Sequence, residues 1–544
     1  MGSVISTIRE SFKIISAAIK LLLTLNADYK ELLARASRPP GLPVSGPTSS
    51  YWLADPPFPH LVDARSERLP ERADVAIVGS GITAAAVART LLLEAERKDA
   101  KLERVVVLEA RQLCSGATGR NGGHIKPASY TDFAQLKKKF GAERAAAIVR
   151  FQRHHLTHIP DLCRAERFHL AECRNVETVD LFLDDASFEK CSSQVDELRH
   201  AVPEAEHTIS DSKETQEKYH ANSQVVGSIS YAAGALWPYR FVSSIWNSLL
   251  TQFPTTLSIE TSTPVESITP ADSDSHPFLL HTPRGVIHAR HVVHATNAFA
   301  SQLIPGLRGK ITGLRAHMSA QRPGQSFPSD PNGERSWGVV YGGGFDYMTQ
   351  RPGQEKRGGD LMLGGGFLRS LKQGLDQTGV WDDGTIDALT ATHLHGVLPT
   401  VFAPQNWGPD APEGRLVQMW SGTICFTADT VPFVGRVDPR LTGRRVKSAS
   451  AQPSKQQPLK QQQQQPEPGE WIAAGYHGDG MIYAWLCGSA VGLMLAGSED
   501  DEHVPERPGL PGGRVDGWLP EELRISYERV KGLSLADLAD ELEL

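Results

Sequence analysis

Short apolar runs bounded by turn residues alternate along this chain with stretches of helical period, the pattern of strands covered by helices. Val75 to Val78 and Val105 to Leu108 are long enough for buried parallel strands. Between them, Gly79-Ser80-Gly81 leads into small helix formers, Ala84 to Ala88. The charged stretch Glu94 to Glu103 reads as a loop insertion. Phe133 to about Arg167 is helical and rich in Lys, Arg and Ala, and mixed strand and helix pieces run on to Val226. Ala235 to Arg240 precedes an apolar helix, Phe241 to Leu250. Val286 to His294 is strand-like and leaves into the small-residue turn Ala295-Thr296-Asn297-Ala298. A β-rich section spans Ile311 to Phe367, followed by helical residues Thr385 to Leu398. Trp471 to Ala474 is a strand, and Gly475 to Met481 opens a small-residue helix reaching Leu495.

The pattern changes at both ends and at one interior point. In residues 1–38, Ile5, Ile8, Phe12, Ile15, Ile19 and Leu22 recur at spacings of three and four, predicting one amphipathic helix that Pro39-Pro40-Gly41 ends. Its most apolar part is too short to span a bilayer and contains Lys20. Met1-Gly2-Ser3-Val4-Ile5-Ser6 matches an N-myristoylation pattern, and acyl chain plus basic helix would supply two membrane signals. Packing of this helix on the body or on a partner is the favoured alternative. Residues 39–70 read as a linker. Residues 441–469, with five consecutive Gln at 461–465, have the composition of a disordered insertion. Residues 497–544 read as an acidic tail closing in a short helical pattern from Ser534.

With 544 residues, 40% hydrophobic and 22% charged, the chain reads as a soluble globular protein of two to four domains. A net charge of −7 gives no electrostatic reason for a nucleic-acid partner. The six cysteines contain no Cys-x-x-Cys pair, which reads as reduced thiols in a cytoplasmic protein, with peripheral membrane contact through residues 1–38 as the variant.

Strand, glycine turn, helix is the context that a dinucleotide fingerprint requires. Gly79 permits the tight turn, Gly81 lets backbone approach a pyrophosphate, and Ala84 takes the third small position, where helix meets strand. The helix N-terminus, Ile82 and Thr83 included, offers N–H groups to phosphates. Glu109, ending the second strand, is the expected carboxylate for ribose hydroxyls, although it lies 28 residues beyond Gly81. Next comes a glycine-rich loop, Ser115-Gly116-Ala117-Thr118-Gly119-Arg120-Asn121-Gly122-Gly123-His124, able to lie flat against a ligand.

Five separated pieces together resemble the FAD-dependent amine and amino-acid oxidoreductases related to D-amino acid oxidase, sarcosine oxidase and γ-glutamylputrescine oxidase. They are Gly79 to Ala84, the loop Ser115 to His124, Ala295 to Ala298, Trp420 through Gly435, and Gly475 to Met481. The resemblance implies an α/β fold in which a Rossmann-like FAD-binding domain (71–130, 230–310, 415–440 and 470–496) interleaves with an α+β substrate domain (131–229 and 311–414) on a mixed or antiparallel sheet. It implies cofactor contacts from Gly79, Ser80, Gly81, Ile82, Thr83, Ala84, Glu109, Ala110, Ser115, Thr118, Gly119, Asn121, Gly122, Gly123, Ala295, Thr296, Gly422, Asp429, Gly478, Gly480 and Met481. Gly478 to Met481 would start a helix aimed at the pyrimidine end of the flavin, where the reduced ring carries negative charge.

The same resemblance implies hydride transfer from the carbon beside a substrate amine to flavin, then imine hydrolysis, with molecular oxygen or another acceptor taking the electrons. Arg120, His124, Arg315 and Tyr347 are the catalytic candidates, with His317 and Pro238-Tyr239-Arg240 as further contacts; an Arg would match a substrate carboxylate bidentately. The flavin is expected to be non-covalent. Cys425 is displaced by one position from the cysteine that holds it in sarcosine oxidase, and His124 follows the double glycine, where histidine-linked relatives carry theirs before it. Two rival readings are a flavoprotein domain of a tRNA-modifying type and a non-catalytic, membrane-attached flavin-binding protein.

Overall fold

Arg72–Val78 lies in the middle of a sheet because its second half, Val75 to Val78, is apolar and buried on both faces. The computed structural model describes residues 27–328, 330–342, 344–353, 358–446 and 466–535. In it this strand runs parallel to Val105–Leu108 on one side and to Gly285–His294 on the other. Leu257–Glu260 and Gly469–Ala474 extend the parallel array, and Phe433–Arg436 closes one edge antiparallel. Val78 is in register with both Leu108 and His294, so the loops leaving these strands emerge side by side.

Helix Ile82–Arg97 follows the first strand and is buried along most of its length. The small-residue helix Ala484–Leu495 crosses it in close contact. A Cβ on Gly488 would sit 2.6 Å from the Thr83 carbonyl oxygen, and one on Gly492 would sit 2.7 Å from Thr90 Cβ. Glycine four residues apart is what lets these backbones meet. Glu94 to Arg97, expected in a loop, belong to this helix. The fully buried Glu94 carboxylate is paired with Arg97 and accepts from Ser498 Oγ, so its charge is compensated.

The second sheet has nine strands and is mixed. From one edge it runs Leu416–Thr427, Ile311–Gln321, Leu361–Gly365, Gly344–Gln350, Arg335–Tyr341, Arg174–Phe182, Gly227–Ala235 and His124–Ile125, with His207–Asp211 paired to Gly227–Ala235. Only Arg335–Tyr341 beside Arg174–Phe182 is parallel. Three segments grouped with the nucleotide unit by sequence, His124–Ile125 among them, lie in this sheet instead. Leu416–Thr427 bonds to Ile311–Gln321 along its whole length, and Gly227–Ala235 bonds to Arg174–Phe182 over nine positions. The fold is α/β, as the pattern predicts.

The terminal and linking segments depart from expectation where they carry aromatic or basic anchors. Of the expected helix 1–38, residues 27–37 are helical, and residues 1–26, with the myristoylation pattern, lie outside the described residues. Arg35 ties that helix to the body by donating to the Thr378 and Leu375 carbonyls. The segment 39–70 is no free linker: Trp52 is 1% exposed and donates to the Asn121 carbonyl, while Trp237 donates to the Trp52 carbonyl. Of the expected insertion 441–469, residues 447–465 lie outside the described residues, but its flanks are packed. Leu441 is buried, and Arg444 pairs with the buried Glu470. The expected tail is likewise packed to residue 535. Arg529 pairs with Asp429 and Arg97 with Asp501, while Leu519 and Leu523 are buried. Residues 536–544 are not described.

Candidate active site

The loops at the carboxyl ends of the parallel strands converge with the second sheet around a cavity of about 990 Å³. That is the upper end of the range for cofactor and ligand sites. At one end stands the fingerprint. Gly79 holds φ +103°, and a Cβ there would lie 2.7 Å from the Ala295 carbonyl oxygen, so this turn demands glycine twice over. Gly81, at φ −70°, is there for space: its Cβ would meet Thr118 Oγ1 at 2.7 Å. The Ile82 N–H donates to that hydroxyl at 3.0 Å. Thr296 Oγ1, on the neighbouring strand end, is buried with no partner among the described residues while its residue lines the cavity.

Glu109 occupies the place expected of a ribose-binding carboxylate. It accepts from Ser80 N–H at 3.1 Å, Ser80 Oγ–H at 2.6 Å and Arg111 N–H at 3.0 Å, and it lines the cavity. The glycine-rich loop forms the next wall. Gly122 lies under the Tyr347 ring, 2.4 Å from Cε2 to where a Cβ would be, and Gly123 adopts φ +66° against the Leu236 carbonyl. Asn121 Oδ1 accepts from Gly123 N–H and fixes that turn. A helix N-terminus, a carboxylate one strand away and a glycine wall beyond fit a dinucleotide cofactor.

Of the sequence-predicted cofactor set, Gly79, Ser80, Gly81, Ile82, Thr83, Glu109, Ala110, Thr118, Asn121, Gly122, Ala295, Thr296, Gly422, Gly478, Gly480 and Met481 line this one cavity. Ala84, Ser115, Gly119 and Gly123 support it from behind and do not line it. Asp429 is displaced from the site, held at 2.7 Å by Arg529, a residue from a segment expected to be tail.

The catalytic candidates divide. Arg120 is 3% exposed, and its guanidinium donates to the Ser115, Ser421 and Thr48 carbonyls and lies 3.3 Å from Asp383. Burial lowers it to about 10, with Asp383 opposing, so it stays charged as a clamp for the loop. Arg315 does not line the cavity; Gln377 Oε1 accepts from its Nε at 2.8 Å, and Thr385 from its Nη1. Arg240 stacks on Trp237 and pairs with Asp55, so the segment 238–240 packs outside as well. His124 and Tyr347 do form wall, with rings 6.3 Å apart. Burial drives the His124 imidazole well below its ordinary range, so it is neutral; Nε2 meets Ser336 Oγ at 3.0 Å and Nδ1 has no partner among the described residues. Burial, with Asp479 adding, pushes the Tyr347 phenol up to about 12. His317 is also neutral, at about 4, lowered by burial and then by Arg315.

Sequence reasoning missed four contributors. Thr48 holds Arg120, and Asp383 pairs bidentately with Arg111 at 2.9 and 3.0 Å. Asn297, at φ +46°, gathers the Gly475 N–H and the Cys425 thiol on one oxygen. Asp479 lines the cavity from the Gly478–Gly480 turn. Only Asn297 and Asp479 lay inside a recognised motif; Thr48 and Asp383 carry no local signal.

The family model for FAD dependent oxidoreductases matches residues 74–492. Among solved structures, glycine oxidase from Geobacillus kaustophilus is similar, with a TM-score of 0.56 and 18% identity over 78% of this chain and 95% of that one. L-amino acid deaminase from Proteus myxofaciens, in complex with anthranilate, gives 0.56 and 13% over 90% and 99%. L-proline dehydrogenase from P. horikoshii gives 0.53 and 18% over 79% and 93%. No curated protein sequence matches.

Proposed function

Because the chain belongs to the family of FAD dependent oxidoreductases, we propose that it oxidises a C–N bond of a small amine or amino acid. FAD supplies the hydride acceptor. The substrate carbon gives up hydrogen with its electron pair, the amine nitrogen gives up a proton, and water then hydrolyses the imine. Molecular oxygen or another acceptor takes the electrons onward. The observation that carries this reading is the continuity of one cavity from the Gly79–Gly81 turn to His124, Tyr347 and Asp479. Glycine oxidase, L-proline dehydrogenase and L-amino acid deaminase, the three similar structures described above, are named for amino acids, which supports the substrate class.

In this reading the first turn of Ile82–Arg97 would hold the pyrophosphate and Glu109 the ribose, with Asn121 and Gly122 beside the ring system. Gly478, Gly480 and Met481 would stand at its pyrimidine end. His124 and Tyr347, both uncharged, exclude water and shape the floor on which a substrate rests. The flavin is held without a covalent bond. Cys425 is fully buried and donates to Asn297 Oδ1, and burial pushes its thiol up to about 12, far from the thiolate that attachment needs. Among the described residues no helix is long and apolar enough to cross a membrane. Contact of residues 1–38 with a membrane surface remains a proposal on sequence grounds.

The test is anaerobic bleaching of the flavin band in purified protein across a panel of amines and amino acids. Bleaching by one chemical class identifies the substrate. A panel of both classes that leaves the flavin oxidised, while dithionite reduces it, would overturn the proposal in favour of a non-catalytic flavin-binding protein.

A further inference from the structure

Three carboxylates line the cavity: Glu109, Asp383 and Asp479. Glu109 is saturated by Ser80 and Arg111, and Asp383 by Arg111 and Arg120. Asp479 is different. Its backbone closes the turn by donating to the Tyr476 carbonyl at 2.8 Å, yet its carboxyl neither caps the short helix Gly480–Ile482 nor meets a donor among the described residues. It is exposed into the cavity while lying deep in the molecule. Burial and the nearby Asp132 hold its carboxyl well above the usual range. Asp132, on helix Ser129–Phe140, is raised in turn by burial; Gln152 Nε2 donates to it at 2.9 Å and also reaches the Tyr483 hydroxyl at 3.0 Å.

The groups facing this pair from the surrounding elements are Tyr347 on Gly344–Gln350, Tyr483 ahead of Ala484–Leu495, and Lys126 after His124–Ile125. Lys126 is already neutralised by Asp180, which also accepts from Tyr130 and Tyr231. None of them supplies Asp479 with a cation. Beside it stands Tyr347, stacked on Phe345 with centroids 6.2 Å apart, and Lys126 already occupies the Phe345 face at 4.8 Å from its centroid.

We propose that Asp479 is the counter-ion that receives the protonated amine of the substrate, with Asp132 behind it as the second carboxyl of the pair. The inference rests on the amine reading given above. In this assignment Asp479 holds its proton at rest. When an ammonium group enters, the Asp479 O–H bond breaks, that proton leaves to the buffer, and the ammonium donates one of its N–H bonds to the new carboxylate. Charge balances, because one cation enters and one proton departs. An Asp placed for this purpose selects amines over alcohols of the same shape, since a hydroxyl cannot repay ionisation of the acid.

The experiment is titration calorimetry of the flavin-loaded protein at neutral pH, in phosphate and in Tris, whose different ionisation heats count protons. The probes are 2-aminoisobutyrate, which has no hydrogen on the carbon beside its amine and so cannot be oxidised there, and 2-hydroxyisobutyrate. Wild type should release a proton with the amino probe and none with the hydroxy probe. Asp479→Asn should release none and bind the amino probe at least about tenfold more weakly, with the hydroxy probe unaffected. Asp479→Glu should keep the proton release, which guards against a folding artefact in the Asn variant. Asp132→Asn should retain affinity but release less, because Asp479 is then already partly ionised. Unchanged affinity and proton count in Asp479→Asn would overturn the assignment while leaving the amine reading intact. If the amino probe fails to bind wild type and no amine of the panel bleaches the flavin, the amine reading falls and the assignment with it.

Discussion

Gly79 and Gly81 stand two residues apart in one turn, yet the structure gives them different reasons to be glycine, and substitution separates those reasons. In Gly79→Ala the residue must hold φ +103°, which costs roughly 1–3 kcal/mol. Its methyl group also arrives 2.7 Å from the Ala295 carbonyl oxygen. Backbone cannot swing aside as a side chain can, so overpacking adds about 1–3 kcal/mol. The total, about 2–6 kcal/mol, is a large part of a typical folding free energy. In Gly81→Ala the backbone is unstrained, and the one close atom is Thr118 Oγ1. Thr118→Ala in the same chain should therefore restore folding. It should not restore flavin if this turn approaches the pyrophosphate, because the methyl would then keep the phosphates from the helix N-terminus. The assay pairs the urea midpoint of the apoprotein with the flavin-to-protein absorbance ratio of the purified, monodisperse fraction. A wild-type midpoint for Gly79→Ala would refute the strain argument. A wild-type flavin ratio for the Gly81→Ala, Thr118→Ala double variant would refute the assignment of this turn to the cofactor.

Replacing residues 447–465 with a short Gly/Ser linker should leave flavin content and melting temperature unchanged, whereas deleting 440–469 should lower both by removing Arg444 from Glu470; equal behaviour of the two deletions in a thermal melt would contradict this. Stability should fall as pH drops from about 4.5 toward 2. Burial opposes ionisation of Glu470, but hydrogen bonds from His294 and Arg444 win and hold it at about 2, below its unfolded value, so its contribution of about 3 kcal/mol is present above the unfolded value and lost below. Arg444→Gln should flatten that limb of a urea-midpoint-against-pH curve, and an unaltered slope would exclude Glu470 as its source. Arg315→Ala should leave the anaerobic flavin-reduction rate within about twofold of wild type, since its guanidinium bonds to Gln377 and Thr385 outside the cavity; a hundredfold rise in the substrate concentration for half-maximal reduction would return it to the site.

The sequence by itself determined everything that depends on chain neighbours. A four-residue apolar run, a glycine turn and a helix of small residues predict a strand–turn–helix through local backbone geometry, and in the structure Gly79 to Thr83 form that turn on the cavity wall. The same locality made Glu109 legible, since a carboxylate at a strand end stands beside the next parallel strand's turn. Tertiary structure decided whatever depends on residues far apart in sequence. Arg120 sits in a motif, but its partners Thr48, Asp383 and Ser421 lie up to 301 positions away, so only the fold shows that its donors are consumed. Arg315 and His317 are two residues apart on one strand, yet the arginine bonds outward and the histidine lines the cavity. Residues two apart on a strand share a face, so the divergence comes from the segment 366–387 packed against it, where Gln377 and Thr385 take the arginine. Asp479 was visible in its motif as a turn residue. That it alone of the three wall carboxylates lacks a donor among the described residues follows from where Asp132, Gln152 and Tyr347 are brought, and no local pattern encodes that.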